Sequence, residues 1–241
     1  MEPTIKIFPS LDKLTDYFVS RISGHLLSKK HGQFFSIALS GGSTPKAIFK
    51  LITAHYKNKI DWSKVLIFWG DERCVPPTDE ESNYRMTYET LLKHINFPKL
   101  NFCRIHGENN PDTEVKRYSE IVDTMLPHVN NIPQFDLILL GLGEDGHTAS
   151  IFPYNINLFK SDKLFEISEH PVTQQKRITA TGILINNAKE VCFIVTGSGK
   201  AQRVAQILQR KEGWQELPAS QVDPADGQMV WMMDQDAGIG I

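Results

Sequence analysis

Apolar positions along this chain alternate between two periods. Leu11, Leu14, Phe18, Ile22 and Leu26 recur at helical spacing behind Ser10, whose hydroxyl suits an N-cap. Residues 34–39 then form a short apolar run of strand type, and residues 65–69 form a second. Between them, Pro45 fits the first turn of a helix carrying Ile48, Phe49 and Ile52. Helical spacing returns at Tyr84, Tyr88, Leu91, Leu92 and Ile95, and again at Val115, Tyr118, Val122 and Met125. Residues 135–140 read as a third strand, with 178–185 and 191–196 as two more. Ala201, Val204, Ala205 and Leu208 mark a last helix before a strand at 229–233, whereas 155–176 carries no readable period.

Several of these strands are apolar at nearly every position, so both of their faces are expected to be covered. Alternating with helices, they predict an α/β fold: a doubly wound, mostly parallel open sheet spanning residues 1–241 as a single domain. Composition agrees, since 41% hydrophobic and 22% charged residues leave ample material for a core.

A net charge of −2 gives no basic field, which argues against a nucleic-acid partner, although a local cluster of Lys and Arg can still bind a small anion. Cys74, Cys103 and Cys192 are scattered and show neither a disulfide pattern nor metal-ligand spacing with His, so no metal site is expected. The start, MEPTIKIFPSLDK, lacks the apolar core of a signal peptide, and no apolar run reaches the length of a membrane span. The expectation is a cytoplasmic protein without a membrane partner. Nothing in the residues selects between monomer and homodimer.

Ligands of open parallel sheets bind beyond the carboxyl ends of the strands. Four segments follow strands here: Ser40-Gly41-Gly42-Ser43-Thr44-Pro45, Gly70-Asp71-Glu72-Arg73, Gly141-Leu142-Gly143-Glu144-Asp145-Gly146-His147-Thr148, and Thr196-Gly197-Ser198-Gly199-Lys200. All are rich in glycine or charge, and their coincidence at one end of a sheet says more than any one of them. The first suits a phosphate, because glycines let backbone N–H groups approach an anion at a helix N-terminus. It equally suits a plain turn in which Ser43 or Thr44 caps the helix. Lys200 opens a helix, where the macrodipole disfavours a cation unless an anion accompanies it. Arg73 and Arg177 have the fork geometry for bidentate phosphate contacts, and Arg177 also fits an ordinary surface charge.

Two motif matches fail on context. Gly141, Gly143 and Gly146 have dinucleotide-fingerprint spacing, but no strand ending in an acidic residue follows about 20 positions on, so no nicotinamide cofactor is expected. Gly199-Lys200-Ala201 is no P-loop: Ile194 stands where the first glycine belongs, and Ala201 replaces the magnesium-binding hydroxyl. What remains is Asp145-Gly146-His147, an acid beside an imidazole in a loop over the sheet end, which suits a general base oriented by a carboxylate. No Ser or Cys lies in a nucleophile elbow, so water is the expected nucleophile. The other histidines, His25, His31, His55, His94, His106, His128 and His170, are read as ordinary structural or surface residues.

The segments ALSGGSTP (38–45), WGDERCVP (69–76) with Asn83-Tyr84, LLGLGEDGHTASIFP (139–153), RIT (177–179), VTGSGKA (195–201) and PAS (218–220) resemble the 6-phosphogluconolactonase family, whose relatives include glucosamine-6-phosphate deaminases. The resemblance implies an open sheet of the deaminase/lactonase, modified Rossmann-like type. It implies hydrolysis of 6-phosphoglucono-δ-lactone to 6-phosphogluconate, in the pentose phosphate pathway, without a cofactor. Carried onto matching positions, His147 is the base that activates water and Asp145 orients it. Ser40, Gly41, Gly42, Ser43, Arg73, Arg177 and Lys200 hold the phosphate or nearby oxygens. Gln221 is the one departure noted, where the pattern has an apolar residue.

The deaminase branch shares the glycine loop and the DGH. It carries a carboxylate five residues after the histidine, where this chain has Phe152, and a Tyr where this chain has Arg73. Asp71 and Glu72 remain alternative proton carriers at this level. A non-catalytic sugar-phosphate sensor on the same fold would need a DNA-binding module, for which a sheet pattern running from residue 34 to about 233 leaves no room.

Overall fold

The apolar runs build a six-stranded, wholly parallel sheet. The computed structural model describes residues 2–98 and 101–241. In chain order the elements are β1 (Thr4–Phe8), α1 (Leu11–Ser28), β2 (Phe35–Leu39), α2 (Ser43–Leu51), β3 (Val65–Trp69), β4 (Asp71–Arg73), α3 (Asn83–Thr90) and α4 (Pro111–Met125). The small strands β5 (His128–Val129) and β6 (Ile132–Pro133) precede β7 (Leu137–Leu140). Then come β8 (Phe165–Glu169), β9 (Lys176–Ala180), α5 (Gly182–Ile185), β10 (Glu190–Val195), α6 (Ala201–Leu208) and β11 (Gln228–Asp234).

The central sheet runs β1-β11-β10-β7-β2-β3. Every residue of β2, β7 and β10 is buried, as expected of strands covered on both faces. Ser10 caps α1 by accepting the Lys13 N–H at 3.3 Å, and Leu14, Phe18 and Ile22 turn into the core. The core stacks Phe193 on Trp231 and clamps Tyr118 onto the sheet, its hydroxyl donating to the carbonyls of Trp69 and Cys103.

One expectation is corrected. The run at 178–185 is not a strand of the central sheet. It divides into β9, antiparallel between β4 and β8 in a separate three-stranded sheet, and the single turn α5. Gly182 marks the break, since a Cβ there would lie 2.2 Å from the carbonyl oxygen of Phe159. The unreadable stretch 155–176 supplies part of a 3₁₀ segment at Pro153–Lys160, the strand β8 and the hairpin leading into β9. The strand β1, also unanticipated, is an exposed edge, paired among the described residues with β11 alone.

Candidate active site

The strands β10, β7, β2 and β3 are consecutive neighbours in the sheet, so the four loops that follow them meet at its carboxyl edge. They enclose a cleft of about 200 Å³. Every site residue expected from sequence, except Asp145, lines it: Ser40 to Ser43 on one wall, His147 on another, with Arg73, Arg177 and Lys200 around them. Asp145 stands directly behind His147.

Local geometry explains the glycines. Gly42 has φ +104° and opens α2 without any side-chain cap, so the first amides of α2 are left to face the cleft and neither Ser43 nor Thr44 acts as the N-cap. A Cβ on Gly41 would collide with the Asn83 amide. The Thr44 and Thr196 hydroxyls, 2.6 Å apart, tie this loop to the one after β10. In the third loop, a Cβ on Gly143 would sit 2.1 Å from Nδ1 of His147. Gly146 at φ +87° packs on Leu217, and its carbonyl accepts the Ala219 N–H at 3.0 Å. The PAS segment therefore buttresses the loop. No helix begins at the end of this loop, which separates it from a dinucleotide fingerprint.

The Asp145 carboxylate accepts the His147 backbone N–H at 3.1 Å and lies 2.6 Å from its Nδ1. Partial burial opposes the charged carboxylate, but its bonds and attraction to the His147 ring prevail and bring its pKa down to about 2. With Nδ1–H donating to Asp145, the lone pair of His147 resides on Nε2. Phe152, fully buried, packs against the His147 ring at 4.8 Å between centroids, and the Arg177 guanidinium carbon lies 5.6 Å from the Phe152 ring centroid.

Arg73 and Arg177 face each other across the β4–β9 pairing. Arg177 is only 9% exposed, which discards the surface-charge alternative. Its burial, and then the charge of Arg73, push its pKa below the usual guanidinium range. Both Nε atoms are buried without a hydrogen-bond partner. Two adjacent cations with unpartnered donors have the chemistry to receive an anion. Lys200 stands at the N-cap of α6, 3.8 Å from an exposed Glu144 carboxylate.

The two other acids differ in role. Glu72 accepts the N–H groups of Arg73, Asn83 and Tyr84 and the Ser82 hydroxyl, anchoring the N-terminus of α3, and does not line the cleft. Asp71 does line it, held by the Ser150 hydroxyl at 2.7 Å. Asn83, which lines the cleft, and Ser150, which holds Asp71, lie in segments that carry the resemblance but are given no role by it, and His170, read as an ordinary residue, packs on Phe152. Among the described residues no group of His, Cys, Asp and Glu is placed to hold a metal ion, and no helix is long and apolar enough to cross a membrane.

The family model described as glucosamine-6-phosphate isomerases/6-phosphogluconolactonase matches residues 10–231. A 6-phosphogluconolactonase of Haemophilus influenzae is 40% identical over 229 residues, 95% of this chain and 94% of that protein. One from Treponema pallidum is 40% identical over 201 residues, 83% of this chain and 82% of that protein. The crystal structure of 6-phosphogluconolactonase from Leishmania guyanensis superposes with a TM-score of 0.88 at 25% identity, covering 100% of this chain and 99% of that one. The chain belongs to the glucosamine-6-phosphate isomerase/6-phosphogluconolactonase family.

Proposed function

We propose that this protein hydrolyses 6-phosphoglucono-δ-lactone to 6-phosphogluconate, with His147 as the base that activates water. The observation that carries the reading is the Asp145–His147 pair beside a cleft that also holds Arg73, Arg177, Lys200 and the amides opening α2. Nε2 of His147 takes a proton from water as its oxygen bonds to the lactone carbonyl carbon. The tetrahedral intermediate collapses with cleavage of the ring C–O bond. The His147 imidazolium returns its proton to the departing ring oxygen, and Asp145 stabilises that cation throughout. Arg73, Arg177, Lys200 and the Gly41-Gly42-Ser43 backbone hold the phosphate or neighbouring oxygens.

Phe152 supports the lactonase over the deaminase. Deamination with isomerisation needs proton transfers at several sugar atoms, hence more than one placed acid or base. Under His147 this chain places an apolar ring, and Glu72 is committed to α3. The test is hydrolysis of freshly generated 6-phosphogluconolactone, corrected for spontaneous opening, alongside ammonia release from glucosamine-6-phosphate. Lactone opening without ammonia is expected. Ammonia at a comparable rate would assign the protein to the other branch.

A further inference from the structure

We propose that His170 is a substrate-contacting residue, its Nε2–H donating to an oxygen of the sugar lactone at the rim of the cleft. This rests on the lactonase reading and adds a specificity-determining contact to it. His170 sits at the start of the hairpin between β8 and β9, which carries Arg177. Its ring meets the Phe152 ring edge-on at 5.3 Å, so Phe152 is shared by His147, Arg177 and His170. The hairpin is fixed to the cleft wall: the Gln175 amide donates to the Glu81 carboxylate at 2.7 Å, and the carbonyl of Glu81 accepts from the Arg73 guanidinium. Tyr154, stacked on Phe152, also bonds Glu169 just before His170.

The tautomer of His170 follows from its neighbours. Nδ1 lies 3.3 Å from the Val172 N–H and 3.2 Å from the Thr173 N–H, and both can only donate. Nδ1 is therefore the acceptor, the neutral ring carries its proton on Nε2, and none of the described hydrogen bonds uses that donor. Burial, then the positive charge of Arg177, keeps the ring below the ordinary imidazole range and so neutral near pH 7. A neutral donor of fixed orientation, on a rigid hairpin beside the base and an arginine, suits a polyhydroxylated substrate. It adds a directional bond without a further charge.

The alternative is a histidine that merely caps its own turn, since it accepts N–H groups two and three residues ahead as an Asn side chain does in a turn. The variant H170N keeps such an acceptor and removes Nε2–H, whereas H170A removes both. The measurements are KM and kcat for lactone hydrolysis, the Kd of 6-phosphogluconate by calorimetry, and Tm. Both variants are expected to raise KM and Kd by about three- to tenfold, the scale of one neutral hydrogen bond. The kcat should stay within about twofold, and H170N should keep a wild-type Tm. Wild-type KM and Kd in H170N, with only H170A impaired, would overturn the proposal in favour of the turn. A loss confined to kcat would overturn it also. Should the wild type fail to open the lactone, the lactonase reading falls, while the Kd comparison still decides His170. If the wild type also fails to bind 6-phosphogluconate, both fall.

Discussion

The substitution D145N isolates what the carboxylate contributes to His147. The side-chain oxygen of Asn can still accept Nδ1–H, so tautomer and ring position are retained while the negative charge is lost. The magnitude comes from the pairing itself. Asp145 is lowered from 3.8 to about 2, with the His147 ring as the cause that outweighs burial. At about 1.4 kcal/mol per pK unit the full shift corresponds to about 2–3 kcal/mol. The Asp145 side chain is 43% exposed, however, so solvent screens part of this and about 1–2 kcal/mol is the reasonable share. Because the imidazolium exists only once water has given up its proton, the loss falls on the transition state. The expected result is a kcat lowered by about 5- to 30-fold with KM little changed. The assay is initial-rate lactone hydrolysis corrected for the uncatalysed reaction. On an H147A background, D145N should cost almost nothing more, since the two side chains act as one unit. A kcat within about twofold of wild type, or a full additional loss in the double variant, would refute the pairing as the source of catalysis.

Alone, H147A should lower kcat by about 10²–10⁴-fold, the usual scale for a general base; a folded variant with near-wild-type corrected turnover would remove His147 from the mechanism. R73A and K200A should chiefly raise KM, each by about one to two decades for a charge-assisted bond, and unphosphorylated gluconolactone should be a poor substrate nearly insensitive to both. Equal efficiency on the two lactones would sink the phosphate assignment. Far from the cleft, Glu190 is 2% exposed and takes bonds from Arg21 at 2.6 and 2.5 Å and from His25 at 2.9 Å. Burial alone would raise its pKa, but these partners bring it from 4.5 to about 2. Its folded pKa being the lower one, its stabilisation is complete above pH 4.5 and disappears as pH falls through about 2. E190Q should therefore lower Tm at pH 7 by about 5–10 °C, with the gap to wild type closing in acid; a gap independent of pH would contradict the ion-pair account.

Much of this was legible from local pattern. Uninterrupted apolar runs specify strands covered on both faces, the helical spacing after Ser10 specifies α1, and four post-strand segments rich in glycine and charge mark the cleft. These signals are local: each depends on side chains within one or two turns of one another. Asp145 and His147 meet because a single loop residue, Gly146 at positive φ, separates them, a proximity the local sequence carries. What lies beyond was decided by pairing over long distances. A run such as 178–185 is apolar whether it joins the central sheet, a small antiparallel sheet or a helix, because burial alone does not record the partner. The pairing of β9 with β4 is what brings Arg177 to Arg73, so that two guanidinium groups with buried, unpartnered Nε atoms line one cleft. Likewise Glu72 and Asp71 are adjacent acids in sequence, but strand alternation sends one to the start of α3 and the other to the cleft. His170 has no spacing to mark it and reaches Phe152 only through the hairpin of β8 and β9. The chain thus writes its chemistry locally, while tertiary pairing, governed by shape and burial across distant segments, decides which groups share a site.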